Sequence, residues 1–127
     1  MDWVCQAGGT LLIPSGPGYH LFVILNSPAD FPTCPPQSCI LVSFSTVRGP
    51  HDTTRTVQAG AHPFIKEPSF VAYRQARMER SAVLADRVAS GTHIAREAVD
   101  ETLRLDLIAG LYASPLTPRY LKNLVIP

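Results

Sequence analysis

Side chains that could transfer protons or bind phosphate lie at the ends of two strand-like segments. His20 begins an apolar run, whereas Thr46 and Arg48 close the most strand-like stretch of the chain. Metal-independent RNA cleavage needs such groups, because a base must take the 2′-OH proton and a guanidinium must neutralise the charge that grows on the phosphorane. We therefore predict His20, Thr46 and Arg48 as catalytic residues. The competing interpretation is that they are unrelated polar residues of loops and of a solvated strand face.

A basic stretch follows in the middle third of the chain. Residues 48–80 carry six Lys or Arg against three Asp or Glu, a net charge of +3. An aromatic ring can stack on a base and arginines can contact phosphates, which together form a surface for single-stranded RNA. We predict five RNA-contacting residues: Ser45, Arg55, Tyr73, Arg74 and Arg77. The alternative is a solvated edge strand that positive charge keeps soluble.

The three cysteines give little support to a metal or cofactor site. Cys34 and Cys39 could ligate zinc together with His51 or His62, but their spacing is looser than the usual C-x2-C and no second pair exists. An odd number of cysteines favours free thiols in a reducing compartment. The glycine-rich phosphate-binding fingerprints, H-E-x-x-H and G-x-S-x-G are all missing from the sequence. We therefore expect neither a metal nor a cofactor.

Composition indicates one compact domain spanning residues 1–127. Hydrophobic residues make up 46% and charged residues 17% of the 127 residues, and the net charge is +1. This balance excludes intrinsic disorder and a nucleic-acid binder that depends on bulk charge. No apolar run reaches the roughly 18 residues of a membrane span, and residues 1–10 do not resemble a signal peptide. We therefore expect a cytoplasmic protein that does not enter a membrane.

The elements that must position these residues change character near Ser81. Twelve prolines divide the chain unevenly, and none falls between residues 69 and 114. The first part predicts strands at 10–13, 20–25, 39–46, 53–58 and 70–78, whereas the second predicts helices at 82–89 and 94–112 and a last helical turn after Pro118. The expected fold is α+β, with a small β-barrel over residues 8–80 and a helical part over residues 81–127.

This order of elements resembles the MazF/PemK (Kid, CcdB) toxin superfamily. A Gly/Pro turn precedes the apolar strand 20–25, and the segment Val42-Ser-Phe-Ser-Thr46 stands where the family has a strand that ends in Thr or Ser. Residues 59–65 and 69–73 also resemble small uncharacterised bacterial proteins. The resemblance implies an SH3-like barrel, endoribonuclease activity and an antitoxin partner. A different class remains open, namely a non-catalytic module that binds a partner protein in the barrel groove.

The apolar residues of the second half predict a homodimer. One helical stripe would dock on the barrel: Val99, Leu103, Leu107 and Leu111. Three apolar residues lie off this stripe and need another surface: Ile94, Leu105 and Tyr112. The apolar tail 120–126 adds to this exposed area, so a second copy is the simplest cover. A monomer that folds the tail over its own barrel is the alternative.

Overall fold

The structure is a computed structural model that describes residues 2–127. It contains seven strands: β1 Thr10–Ser15, β2 Gly18–Ile24, β3 Ser38–Thr46, β4 Thr56–Val57, β5 Ser69–Val71, β6 Arg77–Arg80 and β7 Ile94–Arg96. It contains three α-helices and one 3₁₀-helix: α1 Ser81–Ala89, α2 Glu101–Ala113, α3 Arg119–Lys122 and the 3₁₀-helix Tyr73–Gln75. The fold is therefore α+β, as the sequence predicts. In the described residues, no helix combines the length and the hydropathy that crossing a membrane requires.

The strands form one antiparallel sheet around β3. Its order is β4-β5-β3-β2-β1-β7, and β6 pairs with β3 as well. Ser38–Leu41 pair with β6, Leu41–Ser43 with β2 and Phe44–Thr46 with β5. Over residues 2–127 the sheet runs from an edge at β4 to an edge at β7. These two strands do not pair, so the sheet does not close into a barrel.

A tight turn joins β1 to β2. Ser15 pairs with Gly18, so only Gly16 and Pro17 connect the two strands. Gly16 has φ +61°, a conformation that glycine adopts without steric cost, and glycine at the first central position suits a two-residue hairpin. The hairpin places His20 opposite Ile13, in the third residue pair from the turn.

Apolar side chains pack on both faces of the sheet. The main core lies on one face and contains Leu12, Leu21, Val23, Leu25, Phe31, Ile40, Val42, Phe44, Ile65, Val71, Tyr73, Ala76, Leu107, Leu111 and Leu121. The second core lies on the other face and contains Leu11, Ile13, Phe22, Ile24, Cys39, Leu41 and Leu84. Helix α2 therefore covers one face through Leu107 and Leu111, whereas α1 covers part of the other through Leu84.

The helix predicted over residues 94–112 is wrong in its first third. Ile94–Arg96 form β7, which pairs with β1 from Leu12 back to Thr10. Helix α2 begins only at Glu101, because the carboxylate of Asp100 accepts a hydrogen bond of 2.8 Å from Leu103 N and caps the helix. The strand β7 depends on a partner some eighty residues earlier, so no local pattern in the sequence predicts it.

Two further predictions need correction. The strand predicted over residues 70–78 is interrupted by the 3₁₀-helix, since Ala76 N donates to Tyr73 O in the turn between β5 and β6. The C-terminal tail is not uniformly exposed, because Leu121 is fully buried and Leu124 and Ile126 pack against the main core. This is the arrangement of the monomer alternative, so the tail gives less support to a dimer.

A close approach of α2 to the sheet is testable at Gly110. A Cβ atom there would overlap the Tyr73 side chain, and it would lie 2.6 Å from Cζ. Gly→Ala in a helix normally stabilises a protein by about 1 kcal/mol, but overpacking costs about 1–3 kcal/mol. We expect Gly110→Ala to lower the free energy of unfolding, measured by urea denaturation. The exposed neighbour Ala109 supplies the control, since Ala109→Gly should cost only the helix propensity. A more stable Gly110→Ala variant would contradict this packing.

Candidate functional site

Three neighbouring clefts surround the end of β3, and Ser45 lines all of them. The His20 cleft, of about 270 Å³, is lined by Ser15, His20, Phe22, Ser43, Ser45, Gln75 and Arg77. The Thr46 pocket, of about 220 Å³, includes Tyr19, His20, Phe44, Ser45, Thr46, Lys66 and Glu67. The Phe70 pocket, of about 480 Å³, includes Ser45, His51, Asp52, Phe70, Arg74 and Gln75. These clefts bring together residues from five separate segments of the chain.

The His20 cleft is the polar continuation of the face that carries the second core. His20 and Phe22 point to the same face of β2, because side chains alternate along a strand, and Ser43 lies opposite Phe22 on β3. The Arg77 guanidinium carbon lies 4.6 Å from the centroid of the Phe22 ring. This cation–π contact holds the guanidinium over the sheet.

Two polar atoms in this cleft are buried and have no hydrogen-bond partner within residues 2–127. They are His20 Nδ1 and Arg77 Nε. Arg77 Nε lies 3.5 Å from a carboxylate oxygen of Glu79, which makes an ion pair without the geometry of a hydrogen bond. Buried polar groups normally find partners, so these two atoms mark a place where a polar ligand would gain hydrogen bonds.

His93 is a further residue of this face that the sequence analysis missed. It precedes Ile94, the partner of Leu12, so the alternation of the strands places its side chain beside Ile13 on the same face as His20. Two strand spacings put the Cα atoms of the two histidines about 10 Å apart. Burial lowers the pKa of His93, and the charges of Arg77 and Arg87 lower it further. His93 is therefore neutral near neutral pH.

The Thr46 pocket holds one predicted catalytic residue beside His20, and another lies at its rim. Thr46 lies opposite Ser69 in the sheet and lines the pocket wall. Arg48 does not line it, since its side chain is 76% exposed and reaches only Glu67, at 3.9 Å. Thr46 and His20 thus line one pocket, but the alternation along β2 and β3 directs their side chains to opposite faces of the sheet. Arg48 can act on the pocket only from outside.

The Phe70 pocket offers an aromatic surface. The rings of His51 and Phe70 lie 5.0 Å apart between centroids, and Arg74 lines the same pocket. Burial acts to raise the pKa of Asp52, but hydrogen bonds from Ser114 and Thr54 outweigh it and keep the pKa below its usual value. A flat ring, a guanidinium and a carboxylate are groups that can bind a nucleobase and its sugar-phosphate.

Two predicted RNA contacts have other roles. Tyr73 is fully buried and donates a hydrogen bond of 2.9 Å to Leu107 O, so its ring is not free to stack on a base. Burial also raises the pKa of Tyr73. Arg55 lies 3.9 Å from Asp106 on α2 and lines none of the three clefts. Phe70 is the partly exposed aromatic that lines the Phe70 pocket, and its position in the short strand that follows Pro63 and Pro68 gave no signal of this role.

The cysteines that could have ligated zinc lie apart. Cys34 packs against the main core, whereas Cys39 belongs to the second core on the other face. His62, a possible third ligand, is buried and occupied, because its Nε2 donates to Glu97 O at 2.7 Å and its Nδ1 accepts from Phe64 N at 3.0 Å. Across residues 2–127, no three His, Cys, Asp or Glu side chains are grouped as metal ligands would be.

No protein-family model matches this chain, and neither a curated protein nor a solved structure matches it. The proposal of an activity therefore rests on the geometry of the three clefts.

The neutral state of His93 predicts a pH dependence of stability. In the unfolded chain the imidazole titrates near 6.5, and in the folded protein it does so at lower pH. Between these values the unfolded state binds more protons, so stability falls as the pH falls. We expect wild type to lose more stability than His93→Gln between about pH 7.5 and about pH 5.5, measured by urea denaturation. Glu79, Arg77 and Arg87 surround the ring in both proteins. Parallel stability curves would contradict the assignment.

Proposed function

We propose that this protein binds single-stranded RNA and cleaves it without a metal ion. The observation that carries the proposal is the His20 cleft, where a histidine and an arginine with unpartnered buried nitrogens lie beside three serines and an amide. An imidazole, a guanidinium and several hydrogen-bond donors form a set suited to phosphodiester transesterification.

In the proposed reaction, His20 accepts the proton of a ribose 2′-OH. The 2′ oxygen then forms a bond to phosphorus, and the bond from phosphorus to the 5′ oxygen of the next nucleotide breaks. Arg77 stabilises the extra negative charge on the phosphorane, while the hydroxyls of Ser43 and Ser45 donate hydrogen bonds to its oxygens. The leaving 5′ oxygen takes a proton from a water molecule, because solvent can enter the open cleft. The products are a 2′,3′-cyclic phosphate and a 5′-hydroxyl.

The neighbouring pockets would hold the nucleotides on either side of the scissile phosphate. In the Phe70 pocket, Phe70 and His51 stack on a base and Arg74 binds a phosphate. In the Thr46 pocket, Thr46 and Lys66 bind the other neighbour, with Arg48 attracting the backbone from the rim. Ser45 lines all three clefts, and in this proposal one strand of RNA passes Ser45 from one cleft to the next.

The biological setting we propose is that of a toxin held in check by an antitoxin protein in the cytoplasm. The support is the resemblance of the sequence, in the order of its elements along the chain and in the segment Val42–Thr46, to the MazF/PemK superfamily. In this proposal the sheet around β3 corresponds to an SH3-like barrel that is open between β4 and β7. The 3₁₀-helix connects β5 to β6 within this barrel.

RNA cleavage by site variants tests the proposal directly. A fluorescent single-stranded RNA in EDTA should be cut by wild type to products with 2′,3′-cyclic phosphate ends. His20→Ala and Arg77→Gln should each lower the rate by about 10²–10⁴-fold, whereas Arg48→Ala should lower it by less than about tenfold.

Three controls make this experiment decisive. Arg119→Ala removes an arginine of α3 outside the three clefts and should cleave as wild type does. DNA of the same sequence should stay intact because it lacks the 2′-OH. Thermal denaturation should show that each variant folds. Intact RNA with wild type, or equal rates for wild type and His20→Ala, would contradict the proposed activity.

A second candidate function is a non-catalytic module that binds another protein. The observation in its favour is an apolar groove of about 680 Å³ beside the C-terminus, lined mainly by residues 29–34 together with Tyr120, Asn123, Leu124, Val125 and Pro127. Val125 is 86% exposed there. Binding of a partner protein by wild type that leaves single-stranded RNA intact would favour this function over the enzyme.

We also propose a homodimer, formed through the outer face of α2. Leu105 is 53% exposed and Tyr112 is 39% exposed. They are seven residues apart, so they lie on the same helix face two turns from each other. Sedimentation equilibrium at micromolar concentration should give a mass near twice 13.8 kDa, and Leu105→Glu should return the protein to a monomer. A concentration-independent mass near 13.8 kDa for wild type would contradict the dimer.

A further inference from the structure

Two of the three cysteines lie in contact in the second core. The sulfur atoms of Cys5 and Cys39 are 3.2 Å apart, and one thiol donates a hydrogen bond to the other. Cys39 belongs to β3 and is fully buried, whereas Cys5 lies in the irregular segment before β1 and is partly exposed. The pair thus joins a fixed thiol to one that reaches the surface.

Only a small movement separates these thiols from a covalent bond. A disulfide has a sulfur–sulfur distance of about 2.05 Å, so the two atoms would approach by about 1.2 Å. Cys39 is held in place by the pairing of β3 with β6, where it lies opposite Glu79. Cys5 is held less firmly, because its segment is tied to the fold by single hydrogen bonds such as Ala7 N to Ser27 Oγ. Cys5 would therefore make most of the movement that brings the two sulfur atoms together.

We infer that Cys5 and Cys39 form a reversible redox site, oxidised to a disulfide by small-molecule disulfides. Cys5 thiolate attacks one sulfur of the oxidant, forms a mixed disulfide and releases one thiolate, which takes a proton from solvent. Cys39 then loses its proton and attacks the Cys5 sulfur, which expels the second thiol of the oxidant. The protein loses two hydrogen atoms, and one oxidant molecule is reduced to two thiols.

Exposure sets the order of these steps. Cys39 has no exposed surface, so an external oxidant can meet only Cys5 first. The hydrogen bond between the thiols acts in the same direction, since it lowers the pKa of Cys5 while it raises the pKa of Cys39. The more accessible sulfur is therefore also the better thiolate.

The bond would fasten the N-terminal segment to the sheet. It would close a loop over residues 5–39, which contains β1, β2 and the start of β3. The same segment carries Trp3, which packs against the second core and lines a cleft with Ala85 and Val88 of α1. Oxidation would thus stabilise the folded protein, because the closed loop restricts the unfolded chain.

Titration with oxidised glutathione tests the site. Folded wild-type protein is equilibrated with mixtures of reduced and oxidised glutathione and is then unfolded in denaturant with excess alkylating agent, so that every free thiol, including the buried Cys39, is alkylated. The protein is analysed by mass spectrometry and peptide mapping. We expect the number of alkylated cysteines to fall from three to one, with Cys5 linked to Cys39 and Cys34 alkylated. The midpoint of thermal denaturation should rise by roughly 5–15 °C on oxidation and return on reduction.

The cysteine variants supply matched controls. Cys34→Ser should keep the full response, whereas Cys5→Ser should abolish both the disulfide and the thermal shift. Cys39→Ala should stop the reaction at glutathione bound to Cys5; if this variant does not fold, Cys5→Ser alone decides. Three free thiols at every ratio of glutathione, or a disulfide that includes Cys34, would overturn the proposal.

Discussion

Hydrogen bonding along both edges of β3 is the constraint on which the remaining structure depends. The nine residues of this strand pair with β2 on one side and with β6 and then β5 on the other. Its first seven residues are buried, because one face contributes Ile40, Val42 and Phe44 to the main core and the other contributes Cys39 and Leu41 to the second core. Toward its end the second face changes to Ser43 and Ser45, so the strand that organises both cores also forms the floor of the clefts.

Two buried polar contacts keep this centre in register where β2 leaves the sheet. The Asn26 side chain accepts a hydrogen bond of 2.8 Å from Ile40 N and donates one of 3.1 Å to Ser38 O. It thereby satisfies backbone groups that the departing strand no longer pairs, which would otherwise be costly in the interior. Arg104 of α2 performs a similar role, because its guanidinium donates to Leu25 O at 2.6 Å. The helical half is therefore attached to the sheet by a directional bond as well as by apolar packing.

Local patterns in the sequence were enough for most elements but not for those that depend on distant partners. The alternation of Val42 and Phe44 with Ser43 and Ser45 predicts β3, and its serine side does face the clefts. The sequence assigns Ile94 to the second helix because no glycine or proline separates it from the apolar stripe that begins at Val99, and only its pairing with β1 makes it a strand. Tyr73 precedes arginines and so resembles a stacking residue, yet its hydroxyl is directed to Leu107 O inside the core. His93 and the contact between Cys5 and Cys39 arise from tertiary structure alone, which spacing along the chain cannot reveal.

The short pairing of β7 with β1 has a consequence for how the chain folds. Thr10 and Arg96 are partners in the sheet, and Thr10 Oγ1 also donates to Glu97 O at 2.8 Å. During synthesis β1 and β2 can form a hairpin early, but the outer edge of β1 has no partner until residues 94–97 have been made. Contacts between distant parts of a chain form slowly because a large loop must close first. Until then another nascent chain could pair with the free edge of β1. The pairing of β7 covers this edge and thereby removes a site at which the chain could aggregate.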